Sequence, residues 1–171
     1  MSFGTLQTRH YAVEILTEHY LISAALEPPG MLMNYLNHPD RTTLQFKQVT
    51  ATALDPGGKL PTFQAEELWL RRDEMAALRF VDMVSPSTMP LLPRKEKLRV
   101  FLPRFLVQAV FRCGTDTAVG DIFDSMTSYW APATEARVHP LLPCACPVFS
   151  EAAQLLVNRR QIRFYQPIKE G

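Results

Sequence analysis

Apolar and polar residues alternate along much of this chain, which is the period of a strand with one buried face. The stretches "HYAVEIL" (10–16), "HYLISAAL" (19–26) and "FLVQAVF" (105–111) alternate or run apolar over short lengths. "TTLQFKQVTATAL" (42–54) and "YWAPATEARVHPL" (129–141) read as longer strands. Near the end of each half, "AEELWLRRDEMAALRFVD" (65–82) and "AAQLLVNRRQIRFYQP" (152–167) each predict two strands joined as a hairpin, with polar turns at 71–74 and 158–161. The period changes in two places only. "MLMNYLN" (31–37) and "AVGDIFD" (118–124) space apolar residues three and four apart, so each predicts one short helix. Pro39 disfavours a helical conformation at His38 and stops the first of them.

The same order of elements occurs twice. At an offset of 85, residues 20–26 fall on 105–111; at an offset of 87, a gapless match runs from residue 31 to about residue 80. Asn34 meets Asp121, Tyr35 meets Ile122, Leu36 meets Phe123 and Asn37 meets Asp124; later, Leu68, Trp69 and Leu70 meet Leu155, Leu156 and Val157. The two-residue difference sits in the loops at 27–30 and 112–117, where insertions are tolerated. The expected architecture is mainly β: two tandem five-stranded barrel-like repeats, each with a short helix after its second strand. Their bounds are 8–84 and 96–168, joined over 85–95 by a Pro-rich connector. About 70 residues buries a limited core, so closure into a barrel and stacking of the copies would hide more surface.

Charge changes this picture slightly. Residues 1–85 hold seven Lys and Arg against ten Asp and Glu, and residues 86–171 hold eleven against seven, a net −3 facing a net +4. Such halves attract, within a chain or between chains. The overall charge of +1 lacks the basic excess of a dedicated nucleic-acid protein. No apolar run is long enough to span a bilayer and no leader pattern opens the chain, so the expected location is cytoplasmic. Cys113, Cys144 and Cys146 are odd in number, and "CAC" has the wrong spacing for a zinc knuckle, which leaves small buried residues as the simpler role.

The strings "NYLNHPDRTTLQFKQVTAT" and "LWLRRDEMAALRFV", with "DIFDSMTSYWAPATEARVHP" and "LLVNRRQIRFYQP", resemble a group of uncharacterised bacterial small-β domains. Their pattern is an Arg-Leu-Ser-Asp-x-Leu-Asn turn, a Phe-Leu-x-Leu-Thr-Asp-Ala strand and a Val-Asn-Arg-x-x-Ile hairpin. This chain keeps Leu36-Asn37 in one copy and Val157-Asn158-Arg159 with Ile162 in the other, and lacks the Arg-Leu-Ser opening in both. The resemblance implies an Sm-like or SH3-like fold and brings no known activity.

Chemistry is sparse. There is no phosphate loop, no nucleophile elbow and no His-Glu-x-x-His, and the four histidines are scattered. We therefore expect no catalytic residues, no cofactor and no metal. Asp121 and Asp124 match Asn34 and Asn37, which points to turn bonding. Arg71-Arg72 and Arg159-Arg160, at matching turns, are the candidate anion or partner contacts, with Trp69 and Trp130 the candidate apolar ones. A second basic stretch, Arg94 to Arg104, could meet the acidic first half. The expected function is a non-enzymatic binding or scaffold module engaging protein, itself or another, away from membranes. An Sm-like nucleic-acid module and a ligand sensor with a pocket between the repeats are the alternatives.

Overall fold

The computed structural model of the chain describes residues 9–85, 88–89 and 92–170. Ten strands form one antiparallel sheet: β1 (Tyr11–Thr17), β2 (Tyr20–Leu26), β3 (Thr43–Ala53), β4 (Phe63–Arg71), β5 (Met75–Phe80), β6 (Arg94–Phe101), β7 (Phe105–Cys113), β8 (Trp130–Pro140), β9 (Glu151–Asn158) and β10 (Phe164–Pro167). One short helix, α1 (Leu32–Asn37), follows β2. Strand β7 shows why the period-2 signal works: Phe105, Val107, Ala109, Phe111 and Cys113 are buried, and every residue between them is half-buried.

Across the sheet the order is β10-β6-β7-β8-β9-β5-β1-β2-β3-β4. The expected pair of separate barrels is therefore corrected: the sheet is single and open. Instead of each half closing on itself, β5 of the first half pairs with β9 of the second, Ala77 opposite Val157, Leu78 opposite Leu156 and Arg79 opposite Leu155. The pairing removes two inner edges at once, and it buries Leu155, Leu156 and Val157 completely. A second correction concerns the two expected hairpins. β4 pairs with β3 alone, while β5 pairs with β1 and β9; β9 and β10 are likewise not partners. The polar turns at Arg72–Glu74 and Arg159–Gln161 are single 3-10 turns that carry the chain from one ladder to another. The expected second helix is also only a 3-10 turn, Val119–Asp121, with Gly120 at its centre.

The pairing registers of the two halves match residue for residue. Ile15 lies opposite Ile22 as Val100 lies opposite Val107, and Ile22 opposite Ala51 as Val107 opposite Val138. Both second-to-third strand pairs carry an irregularity at the same place, between Ser23 and Ala25 and between Gln108 and Val110. At the two bulges Gln48 and Glu135 adopt left-handed backbone, φ 52° and 51°, and among the described residues no other non-glycine has a positive φ.

Two apolar clusters form the core and exchange residues across the joint. Trp130 and Leu156 from the second half pack with the first-half cluster, and Leu16, Leu54, Ala76 and Ala77 pack with the second. Of the expected connector over 85–95, residues 86, 87, 90 and 91 lie outside the described residues, as does residue 8 of the first expected repeat; β6 already begins at Arg94. Among the described residues no helix is long and apolar enough to cross a membrane.

Candidate interaction site: the joint and the open edges

The joint between β5 and β9 is held by side chains that bond backbone. Asn158, fully buried at the end of β9, donates its amide to the carbonyls of Arg72 and Met75 (3.2 and 2.8 Å) and to the Tyr129 hydroxyl (3.3 Å). Its oxygen accepts from the Arg160 N–H at 3.0 Å. Tyr129 in turn donates to Asp73 at 2.7 Å. Burial is the main reason that the Tyr129 phenol is pushed up to about 12, with the Asp73 bond adding to it. The same bond is the leading cause that holds Asp73 below the ordinary carboxylate value.

A second tie between the halves lies near the same end, where the turn between β1 and β2 meets the turn between β6 and β7. Arg104 is 4% exposed, and its guanidinium donates to the carbonyls of Glu18 and Pro143 (both 2.9 Å) and to the carboxylate of Asp55. His19 meets the other oxygen of Asp55 at 2.7 Å. Asp55 is held below the ordinary carboxylate value, first by the Arg104 bond and then by His19. Arg104 thus joins the acidic first half, as a reader of the charge pattern would expect of that basic stretch. A polar hollow of about 200 Å³ sits beside it, lined by Thr17, Glu18, Asp73, Glu74, Arg104 and Gln161 among others.

The four candidate arginines divide by position. Arg72 is buried, donates to the carbonyls of Leu36 and His38 (3.0 Å each), and stacks on the Tyr129 ring. Arg159 does the matching work in the second half, donating to the carbonyls of Phe123 and Ser128. Each clamps the turn that follows the second strand, so neither presents a free guanidinium fork. Arg71 is exposed on β4, and Arg160 is exposed beside Asp73 at 3.5 Å. The tryptophans divide too: Trp130 is fully buried at the joint, while Trp69 on the edge strand β4 is 60% exposed. The Asn37 side-chain oxygen accepts from the backbone N–H of Trp130 at 3.0 Å, so it bonds across the joint and makes no helix cap.

Among the described residues two strand edges stay open, β4 at one end of the sheet and β10 at the other. Exposed apolar side chains mark both: Trp69 and Phe63 on β4, Phe164 on β10. A separate apolar cleft of about 760 Å³ lies where Met83, Met89 and Leu92 approach Val110, Met126 and Pro132. Among the described residues no group of three or more His, Cys, Asp or Glu is placed to hold a metal ion. Cys113 is buried and Cys144 and Cys146 are partly so, all as free thiols; burial raises Cys146, the opposite of what a nucleophile needs.

Sequence reasoning missed Asn158, Tyr129, Asp73 and Asp55 as joint residues, because each bonds a partner more than 25 positions away. Only Asn158 carried a signal, inside the Val157-Asn158-Arg159 string. Compared with protein-family models, with curated proteins and with solved structures, the chain finds no match.

Proposed function

We propose that this protein is a non-enzymatic binding or scaffold module, made of two tandem Sm-like or SH3-like five-stranded repeats and acting through protein–protein contacts. The duplication reading draws on the shared register, the shared bulge and the paired left-handed residues Gln48 and Glu135. One observation carries the functional reading: the open β4 edge presents Trp69, 60% exposed, beside unpaired backbone groups. An open edge strand offers its unpaired backbone groups for strand addition, and an exposed aromatic on it adds an apolar contact. The polar candidates point the same way, since Arg72 and Arg159 are engaged by backbone and are poor choices for phosphate.

The test is capture from a cell lysate by the tagged protein and by its Trp69→Ser variant, each with and without nuclease. Proteins retained after nuclease by the wild type and lost by the variant support the reading. Capture that disappears with nuclease replaces it with the nucleic-acid alternative.

The 760 Å³ cleft favours a second reading, a small apolar ligand bound near the connector. A Met126→Lys change would abolish binding of an apolar fluorescent probe there.

A further inference from the structure

The inner joint is a template for an outer one. Every element of the β5–β9 pairing has a counterpart, 87 residues away, on an edge that is open. Leu156 of β9 corresponds to Trp69 of β4, and Leu78 of β5 corresponds to Tyr165 of β10. Within the chain Leu78 and Leu156 are opposite each other and fully buried. We propose that β4 of one molecule pairs antiparallel with β10 of a second copy, with Trp69 opposite Tyr165, so that the protein assembles head to tail through copies of its own internal joint. The proposal rests on the binding-module reading and names the partner for its edge.

Backbone direction supports this register. The N–H of Arg72 bonds the Thr42 carbonyl in the frame that pairs β4 with β3. Alternate residues of an antiparallel strand face opposite neighbours, so Leu68 and Leu70 face β3 and Trp69 turns its N–H and C=O outward. On β10 the N–H of Ile168 bonds the Lys97 carbonyl in the frame that pairs it with β6. By the same alternation, the backbone groups of Phe164 and Gln166 face β6 and Tyr165 turns its N–H and C=O outward. The two outward residues are the pair that the internal template brings together. Pro167, which has no N–H to give, lies beyond the three pairs that the inner joint uses.

Burial and charge agree. Phe164, 59% exposed, stands where Ala77 is fully buried, and half-buried Leu68 and Leu70 stand where Leu155 and Val157 are fully buried. A second copy would cover all three. The β4 edge belongs to the half with net charge −3 and the β10 edge to the half with +4, so head-to-tail contact sets opposite fields together. One facing pair opposes it, Arg71 against Arg163.

The test is light scattering behind size exclusion, over a concentration series, on the full chain and two variants. Trp69→Pro removes an outward N–H from β4 without touching the ladder to β3; should it fail to fold, Trp69→Asp takes its place. Phe164→Asp charges the β10 edge at an exposed position. The wild type should form oligomers, each variant alone should be a monomer, and an equimolar mixture should stop at a dimer, because each supplies the edge the other lacks. Arg71→Glu should tighten the assembly. A Phe164→Asp variant that still self-associates overturns the proposal in favour of β4 meeting β4, and an Arg71→Glu variant that weakens assembly overturns the register. A wild type that remains monomeric overturns self-assembly. If that monomer still captures a protein that Trp69→Pro loses, the binding-module reading survives; if it captures none, both fall.

Discussion

The guanidinium of Arg104 donates to the carboxylate of Asp55, and so the turn between β6 and β7 is tied to the loop that follows β3 in the other half. The same guanidinium also serves the carbonyls of Glu18 and Pro143. Replacing it with methionine keeps the apolar stem and takes the donor away from these part-buried carbonyls. An Arg104→Met variant should lose about 3 kcal/mol, the scale of two or three charge-assisted bonds broken in a part-buried site. Urea unfolding at neutral pH measures it, and a loss below about 1 kcal/mol would show that water replaces the arginine.

Acid should weaken both ties between the halves. Asp55 is held low by its bond from Arg104, and Asp73 by its bond from Tyr129. A carboxylate depressed in the folded state contributes stability above its unfolded value, and that contribution is lost as pH falls through the folded one. Between neutral pH and the ordinary carboxylate range the urea midpoint should therefore be flat, and below that range it should fall. In an Asp55→Asn, Asp73→Asn double variant the fall should be shallower, from a lower starting point. Equal slopes in the two proteins would mean that other carboxylates govern acid unfolding.

Tyr129 gives the alkaline counterpart. Its phenol titrates at about 12 in the folded chain, chiefly because it is buried. A group raised on folding contributes stability below its unfolded value, near 10, and loses it as pH climbs towards 12. Ultraviolet titration should show phenolate signal missing at pH values where free tyrosine is ionised, and Tyr129→Phe should remove part of that deficit. Tyr165, also raised by burial, should supply the rest.

The strands were legible because a half-buried strand writes its alternation into the sequence, as Phe105 to Cys113 do. The joint was not, because edge choice is a long-range matter. Leu155, Leu156 and Val157 read as an ordinary apolar run whether they end in a barrel wall or against β5. Trp69 and Trp130 show the limit most clearly. Both lie on strands with apolar neighbours, and burial is decided by whether the strand is interior, as β8 is, or last in the sheet, as β4 is. The arginines were misleading for a related reason. A guanidinium reads as surface, yet Arg72 and Arg159 each satisfy carbonyls left over in the turn after the second strand of a half, and Arg104 serves carbonyls in the loops after β1 and β8. The positions of these leftover carbonyls follow from topology, which local pattern does not encode.

Gln48 and Glu135 offer the sharpest check on the duplicated architecture. Both hold left-handed backbone at the same point of the third strand in each half, a conformation that costs an L-residue about 1 kcal/mol and a β-branched one more. If the bulge is an inherited feature of one repeated unit, both sites should respond alike to the same substitutions. Glycine relieves the steric cost but adds freedom to the unfolded chain, so Gln48→Gly and Glu135→Gly should each change stability by less than about 1 kcal/mol. Valine cannot adopt this backbone without strain, so Gln48→Val and Glu135→Val should each cost about 1–2 kcal/mol more than the glycine variant at the same site. Thermal unfolding of the four variants measures the differences. A valine penalty at one site and not at the other would mean that one bulge relaxes to regular pairing, and that the two halves keep their common register without a common bulge.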